Sequence, residues 1–289
     1  MAITAALVKE LRERTGLGMM DCKKALEETD GDLELAIEEL RKKSSLKAAK
    51  KAGRTTADGL LGLKVAEDGS RGAIIEVNIE TDFAAKNEKF IAFVAKILDA
   101  VFESDDGQLA TVMAAGLDAE RETLVQEIGE NVSVRRAQLV TSENGGVASY
   151  LHGDNRKGTL VVLSASNADV GRDIAMHVTA LSPMVVNSSD VPADLLAKER
   201  EIYTTQAQDS GKPPEIIEKM VEGRVKKYLA EVSLVDQPFV KDPSQKVGQL
   251  ASAAGTDVVK FVRFEVGEGI EVEEEDFAAE VAAQLKGAE

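Results

Sequence analysis

The sequence is poor in the residue types on which most site chemistry is built, with one cysteine, two histidines and no tryptophan among 289 residues. A lone cysteine, Cys22, excludes an intramolecular disulfide and a cysteine-based zinc cage, and two histidines leave little for a metal centre. No apolar run approaches the roughly 20 residues that a membrane-spanning helix needs. The opening "MAITAALVKELRERTG" mixes acids and bases where a secretion signal would be apolar. A cytoplasmic chain without a membrane partner is therefore expected. Cations are the minority charge, 35 lysines and arginines against 51 aspartates and glutamates, and the net charge of −16 repels nucleic acid as a principal ligand. The local exception is "RKKSSLKAAKKAGR", Arg41 to Arg54, which reads as a solvated basic helix or a linker.

Signatures of catalysis are missing as well. "GDNRKGT", Gly153 to Thr159, spaces its glycines like a phosphate-cradling loop but carries threonine where lysine is required. G-x-S-x-G, H-E-x-x-H and C-x-x-C are absent. His152 falls in a predicted turn, His177 in "IAMHVTAL" reads as a satisfied helix histidine, and the consecutive acids of "EVEEED" scatter around a helix instead of converging on a cation. No metal site, cofactor or enzyme mechanism is expected, and the residues by themselves point to an interaction protein.

What is present is a clear change of period along the chain. Apolar residues recur at helical spacing in Leu7, Val8 and Leu11, again in Met19, Cys22 and Leu26, and again in Leu33, Ala36, Ile37 and Leu40, with breaks at "TGLG" and "TDGD". This predicts a small three-helix module in which Cys22 fills the core. "GLLGLKVAEDGSRGAIIEVNIE" then reads as a hairpin turning at Asp68-Gly69. "AAKNEKFIAFVAKILDAVF" follows as a helix with Phe90, Phe93, Val94, Ile97 and Val101 on one face, then a helical stretch over Ala119 to Ile128, and "NVSVRRAQLV" is a further strand.

The order repeats. Aligning Arg71-Gly72 with Lys157-Gly158 superimposes hairpin on hairpin and helix on helix, and "DVVKFVRFEVG" echoes "NVSVRRAQLV". Two related subdomains and an α+β fold with antiparallel sheets follow. The boundaries are 1–54 for the helical module and basic linker, 55–140 for the first subdomain, and 141–189 with 230–268 for the second. Residues 190–229 form an inserted antiparallel helical hairpin broken at "SGKPP", and 269–289 a closing helical module bearing Phe277, Val281 and Leu285.

Several blocks resemble one family. "LVKELRERTGLGMMDCKKAL", "DGDLELAIEELR", "TDFAAKNEKF", "YLHG", "SGKP", "IIEKMVEGRVKKY", "EVSLVDQPFV" and "VRFEVGEGIE" occur in the order and at the spacing of bacterial translation elongation factor Ts. The resemblance implies a UBA-like three-helix N-terminal module, a coiled-coil arm and guanine-nucleotide exchange on elongation factor Tu. It implies no cofactor of the chain's own, the action falling on GDP and Mg²⁺ held by that partner. A homodimer and a two-plus-two complex both stay open.

The resemblance assigns an exchange motif to Thr81, Asp82, Phe83 and Ala84, with Phe83 as a wedge between partner helices and Asp82 as a disturber of the Mg²⁺ site. Ala84 departs from the valine usual in the family. Further partner contacts are implied for Lys9, Arg12, Leu17 and Met19, for His152 and for Phe277, with Met19 equally placed to be internal core. Spacing alone supports another reading, in which Phe83 shares the face of Phe90 and Thr81 or Asp82 merely caps the helix. A scaffold that binds without accelerating nucleotide release is the second functional expectation, and a metal-dependent hydrolase ranks far below both.

Overall fold

The structure is a computed structural model that describes residues 3–208 and 212–271. At its start, Thr4 accepts the Leu7 amide at 3.3 Å and Asp32 accepts the Leu35 amide at 3.0 Å, so each side chain satisfies an orphan donor of the helix it precedes. These caps open α1 (Ala5–Thr15) and α3 (Leu33–Lys51), with α2 (Met19–Glu28) between them. Gly16 ends α1 at φ 71°, a left-handed conformation that costs glycine nothing. Val8, Leu11, Leu17, Cys22, Ala25, Leu26, Ala36 and Leu40 form the core of the module, so Cys22 packs as expected.

The basic stretch is helix rather than linker, for α3 runs on to Lys51. Its polar inner side fastens the module to the rest of the chain. Ser44 donates to Gln126 at 2.5 Å, Ser45 to Glu122, and Lys51 to the Gly129 carbonyl, while Ala48 enters the core beyond.

That core belongs to the first subdomain. Strands β1 (Asp58–Val65) and β2 (Arg71–Ile79) form the predicted hairpin, with Gly69 at φ 71° in its turn. The predicted helix after it is divided into α4 (Asp82–Ala85) and α5 (Glu88–Glu103), because Asn87 caps α5 afresh by accepting the Lys89 amide at 2.9 Å. Two short helices, α6 (Leu109–Val112) and α7 (Asp118–Ile128), lead to β3 (Val132–Thr141). The sheet order is β1-β2-β3, all antiparallel, and the predicted face of α5 is buried against it.

The second subdomain repeats this plan. Strands β4 (Gly146–Leu151) and β5 (Lys157–Leu163) pair antiparallel, followed by α8 (Ala168–Leu181). The register of β2 against β3 shifts between Glu76 and Val77, and that of β5 against its own closing strand between Val162 and Leu163. The two shifts fall at equivalent positions of the repeat. His177 on α8 is fully buried and satisfied, as expected: Nε2 donates to Gln237 Oε1 at 2.9 Å and Nδ1 accepts the Val240 amide at 3.1 Å. Burial pushes its pKa down, against the Gln237 bond, so the ring is neutral.

Between α8 and the closing strand lies the arm, α9 (Ala193–Gln208) and α10 (Pro214–Val232). Ala207, Val221 and Val225 form a core of its own, flanked by Leu196, Tyr203, Ile217 and Leu229. Ser210 and Gly211 of the predicted break lie outside the described residues. A small hairpin, β6 (Pro238–Phe239) with β7 (Asp242–Lys246), and α11 (Val247–Ala253) were not anticipated and lead to β8 (Val258–Glu265), which completes the order β4-β5-β8.

The two sheets stack face to face. Leu61, Ile74 and Val140 from one meet Val147, Leu160, Val162 and Phe264 from the other, while α5 and α8 cover the outer faces through Ala73, Ile75, Val77 and Ile79 and through Val161 and Leu163. This explains the unbroken apolar runs of β2 and β5, since each central strand is covered on both sides. Phe277 and nearly all of the expected closing module lie outside the described residues.

Candidate functional site

The segment after β2 builds an outward-facing point from very few residues. Thr81 at φ −129° and ψ 155° caps α4, its hydroxyl oxygen accepting the Ala84 amide at 3.2 Å. Ala84 and Ala85 turn inward and are buried in the first core. The helical turn therefore points the two side chains between the cap and these alanines, Asp82 and Phe83, away from the protein, and Phe83 is 82% exposed. Spacing alone would have put Phe83 on the face of Phe90, which is fully buried. The fresh cap at Asn87 breaks the helix between them, and the shared face does not exist. Thr81, rather than Asp82, is the cap.

Asp82 stands beside that ring. Its carboxylate accepts from Lys86 Nζ at 2.8 Å, and the same ammonium lies 5.5 Å from the centre of the Phe83 ring. One cation thus holds the acid and lies over the aromatic face. The Lys86 bond keeps Asp82 below the ordinary aspartate range against slight desolvation, helped by the Lys86 charge, the Phe83 amide and the charge of Arg156. We expect Lys86→Met to raise the Asp82 pKa towards its ordinary value, read by carboxyl NMR titration, and an unmoved titration would remove Lys86 as the cause.

Arg156 brings the β4–β5 turn to the same end of the molecule. It pairs with Asp58, whose register partner Ile79 lies two residues before Thr81, and the Asn155 carbonyl accepts the Leu61 amide at 2.8 Å. His152 opens this turn, is exposed, and has Nδ1 3.3 Å from the Tyr150 hydroxyl oxygen.

A second surface lies on the N-terminal module. Ile3, Ala5, Val8, Lys9, Arg12, Met19, Met20 and Lys23 line a groove of about 490 Å³ between α1 and α2. Met19 and Met20 are 60% and 74% exposed, so Met19 is lip and not core. Three of the four residues expected to make contact there converge on this groove or its rim. Leu17 does not: at 3% exposure it lies beneath the surface, because the turn at Gly16 folds it onto Leu11 and Cys22. It supports the site from below, which corrects the expectation of an exposed contact.

Sequence reasoning missed Lys86, Glu130 and Arg156. Lys86 stands four residues after Asp82, a helical pairing distance, and was legible. Glu130 bonds Thr81 from 49 residues away and Arg156 reaches the site through Asp58, and no local pattern signals either. Among the described residues no group of histidine, cysteine or acidic side chains could hold a metal ion, and no helix is long and apolar enough to cross a membrane.

Comparison with known proteins adds an independent finding. Residues 80–268 match the family model described as Elongation factor TS. The chain is 57% identical over 286 residues to the Elongation factor Ts of Hahella chejuensis (strain KCTC 2396), covering 99% of both chains. To the Elongation factor Ts of Saccharophagus degradans (strain 2-40) it is 57% identical over 285 residues, covering 99% of this chain and 98% of the relative. To that of Idiomarina loihiensis it is 53% identical over 294 residues, covering 100% and 99%.

Proposed function

The chain belongs to the elongation factor Ts family, and from that premise we propose that it is the guanine-nucleotide exchange factor of elongation factor Tu in translation elongation. It binds the GDP form, disturbs the Mg²⁺ and phosphate site, lets GDP leave and is displaced once GTP has bound. The work is done by contact alone, without a covalent step or a cofactor of its own, in the cytoplasm.

The observation that carries this reading is the Phe83 ring, exposed at the tip of a turn whose neighbours Ala84 and Ala85 are buried. Burying a phenylalanine is worth about 2–3 kcal/mol. Here the ring starts in water, so nearly all of that is free to drive packed helices of the partner apart. Each tenfold loss of GDP affinity requires about 1.4 kcal/mol, so one ring supports a weakening of roughly thirty- to a hundredfold. Linkage makes the effect mutual, for GDP must weaken binding of the exchange factor by the same factor. Asp82, ionised and held by Lys86, supplies a carboxylate able to compete for the hydrogen bonds that order the metal's water shell, and it must share or leave Lys86 to do so.

The remaining surfaces hold this tip in place. An apolar groove rimmed by Lys9, Arg12 and Lys23 fits an amphipathic helix with acids along its edge, and the His152 turn stands beside the motif to meet another part of the partner. Phe277 adds a contact from the closing module.

The test is release of fluorescent GDP from elongation factor Tu. Catalytic amounts of the chain are expected to accelerate it, and Asp82→Asn to reduce that acceleration with folding intact. Binding of elongation factor Tu without any change in release would leave a scaffold in place of an exchange factor. Sedimentation with and without the partner separates a one-to-one from a two-plus-two complex.

A further inference from the structure

The turn that presents Asp82 and Phe83 is too short to hold itself. Isolated helices below about 12–15 residues are marginal in water, and α4 has four. Its apolar anchor is slight, because only the methyl groups of Ala84 and Ala85 enter the core. Something else must set the direction in which the tip points.

That support comes from where the sheet stops. Ile79 and Val132 are the last register pair of β2 and β3. Beyond them two carboxylates continue the pairing in place of backbone carbonyls. Glu80 accepts the Asn131 amide at 2.6 Å. In the opposite direction Glu130 accepts the Thr81 amide at 3.0 Å through Oε2 and the Thr81 hydroxyl at 2.8 Å through Oε1. The second of these bonds has a consequence for the cap. A hydroxyl has one proton and two lone pairs. With the proton committed to Glu130, the oxygen is oriented to accept the Ala84 amide, which is the bond that closes α4. Bonds to a carboxylate are shorter and stronger than neutral ones. Glu130, half-buried and one residue beyond the left-handed Gly129 that ends α7, is therefore built into the rigid part of the subdomain while gripping the first residue of the tip.

We propose that Glu130 is a positioning residue for nucleotide exchange, setting through Thr81 the orientation in which Asp82 and Phe83 meet elongation factor Tu. This rests on the exchange reading of the motif. Partner affinity is spread over the groove and the turn, whereas the rate of GDP release depends on where the tip points. Loss of the clamp therefore acts on the saturated rate more than on the concentration needed to reach it.

The experiment combines GDP release across a range of factor concentrations with amide hydrogen exchange of the free chain. In Glu130→Ala, exchange at the Ala84 and Ala85 amides rises roughly tenfold, the scale of one hydrogen bond to a charged group. The saturated release rate falls by about the same factor, while the half-saturating concentration and the Tm stay near those of the unaltered chain. Glu130→Gln falls between, since its one carbonyl oxygen still accepts a single donor. Thr81→Val with Glu130→Ala loses less than the sum of the two single variants, because the hydroxyl bond is broken in both and only the Thr81 amide bond to Glu130 remains to be lost in Thr81→Val.

Unaltered amide exchange in Glu130→Ala, a saturated rate equal to that of the unaltered chain, or additive losses in the double variant would each overturn the proposal. A fall in Tm with the saturated rate preserved would reduce Glu130 to an ordinary structural residue. No acceleration by the unaltered chain would bring down the exchange reading and any role in exchange with it, whereas acceleration that Glu130→Ala leaves untouched would bring down the positioning role alone.

Discussion

Replacing Phe83 by alanine is expected to slow elongation factor Tu's release of GDP by about thirtyfold or more, the loss of roughly 2 kcal/mol or above typical of a dominant aromatic contact. The Tm is expected to stay within a degree or so, because truncating an exposed side chain changes stability by no more than about 0.5 kcal/mol. The two halves of this expectation have one origin, the 82% exposure of the ring. Phe90→Ala is the natural contrast. That ring is fully buried in the first core, and its loss should cost about 3–5 kcal/mol of stability before any question of activity arises. Phe83→Leu, which keeps bulk but loses the flat face over which Lys86 lies, should fall between the unaltered chain and Phe83→Ala in release rate. Release at the unaltered rate in Phe83→Ala would return the ring to a bystander's role.

A large effect on stability is also expected at Glu76. Its side chain is fully buried between the two sheets, at the register shift of β2. Arg135 donates to one carboxylate oxygen at 3.0 Å and Arg136 to the other at 2.6 Å, while Asn78 and the amide of Gly267 complete the set at 3.0 and 2.9 Å. Gly267 follows β8, so this carboxylate ties the first sheet to the end of the second. Arg136 also lies 4.1 Å from the ring centre of Phe264 on β8, a second link of the same kind.

Glu76→Gln leaves two arginines facing a neutral amide. Removing one member of a buried ion pair costs about 3–5 kcal/mol, and about 3 is expected here because both arginines keep partial contact with water. For a chain of this size the Tm should fall by roughly 6–12 °C.

The pH dependence follows from the same contacts. Burial alone would raise the Glu76 pKa, but the Gly267 amide, Asn78, Arg136 and Arg135 together outweigh it and hold the pKa below the ordinary glutamate value. A carboxylate whose folded pKa is depressed stabilises the fold fully above its unfolded value of about 4.3. That contribution is lost as the pH falls from there through the lower folded value. The stability gap between the unaltered chain and Glu76→Gln should therefore be full at neutral pH and shrink below about pH 4.3. Urea unfolding at pH 7 and in acid measures it, and a gap that stayed constant or widened in acid would count against the charged network.

How far the sequence reaches is visible in these same residues. The three-helix module, the repeated hairpin-helix-strand plan and the helical arm are all properties of local period, and period is set by which face a neighbouring element covers. Cys22 and His177 behaved as their apolar surroundings dictate. The division of the helix after β2 was harder, since a second cap at Asn87 competes with an apolar pattern that reads straight through it. Leu17 was misplaced because a turn residue has no periodic partner to declare its face.

What the chain alone determines is therefore the main helices and strands, together with the "TDFAA" turn and the lysine one helical turn after its acid. Period two also groups Ile74, Glu76 and Asn78 on one face of β2, but it cannot say what lies opposite them. Stacking of the second sheet makes that face interior, and only then does Glu76 need two arginines and a backbone amide to stay charged. The same holds for Glu130 and Thr81. Their contact is made where two strands 49 residues apart run out of backbone partners, so the direction of Phe83 is set by a carboxylate that nothing near it in the sequence announces. Side chains read their faces from neighbours along the chain, whereas buried charge and the aim of an exposed ring depend on groups that meet only after the sheets have closed.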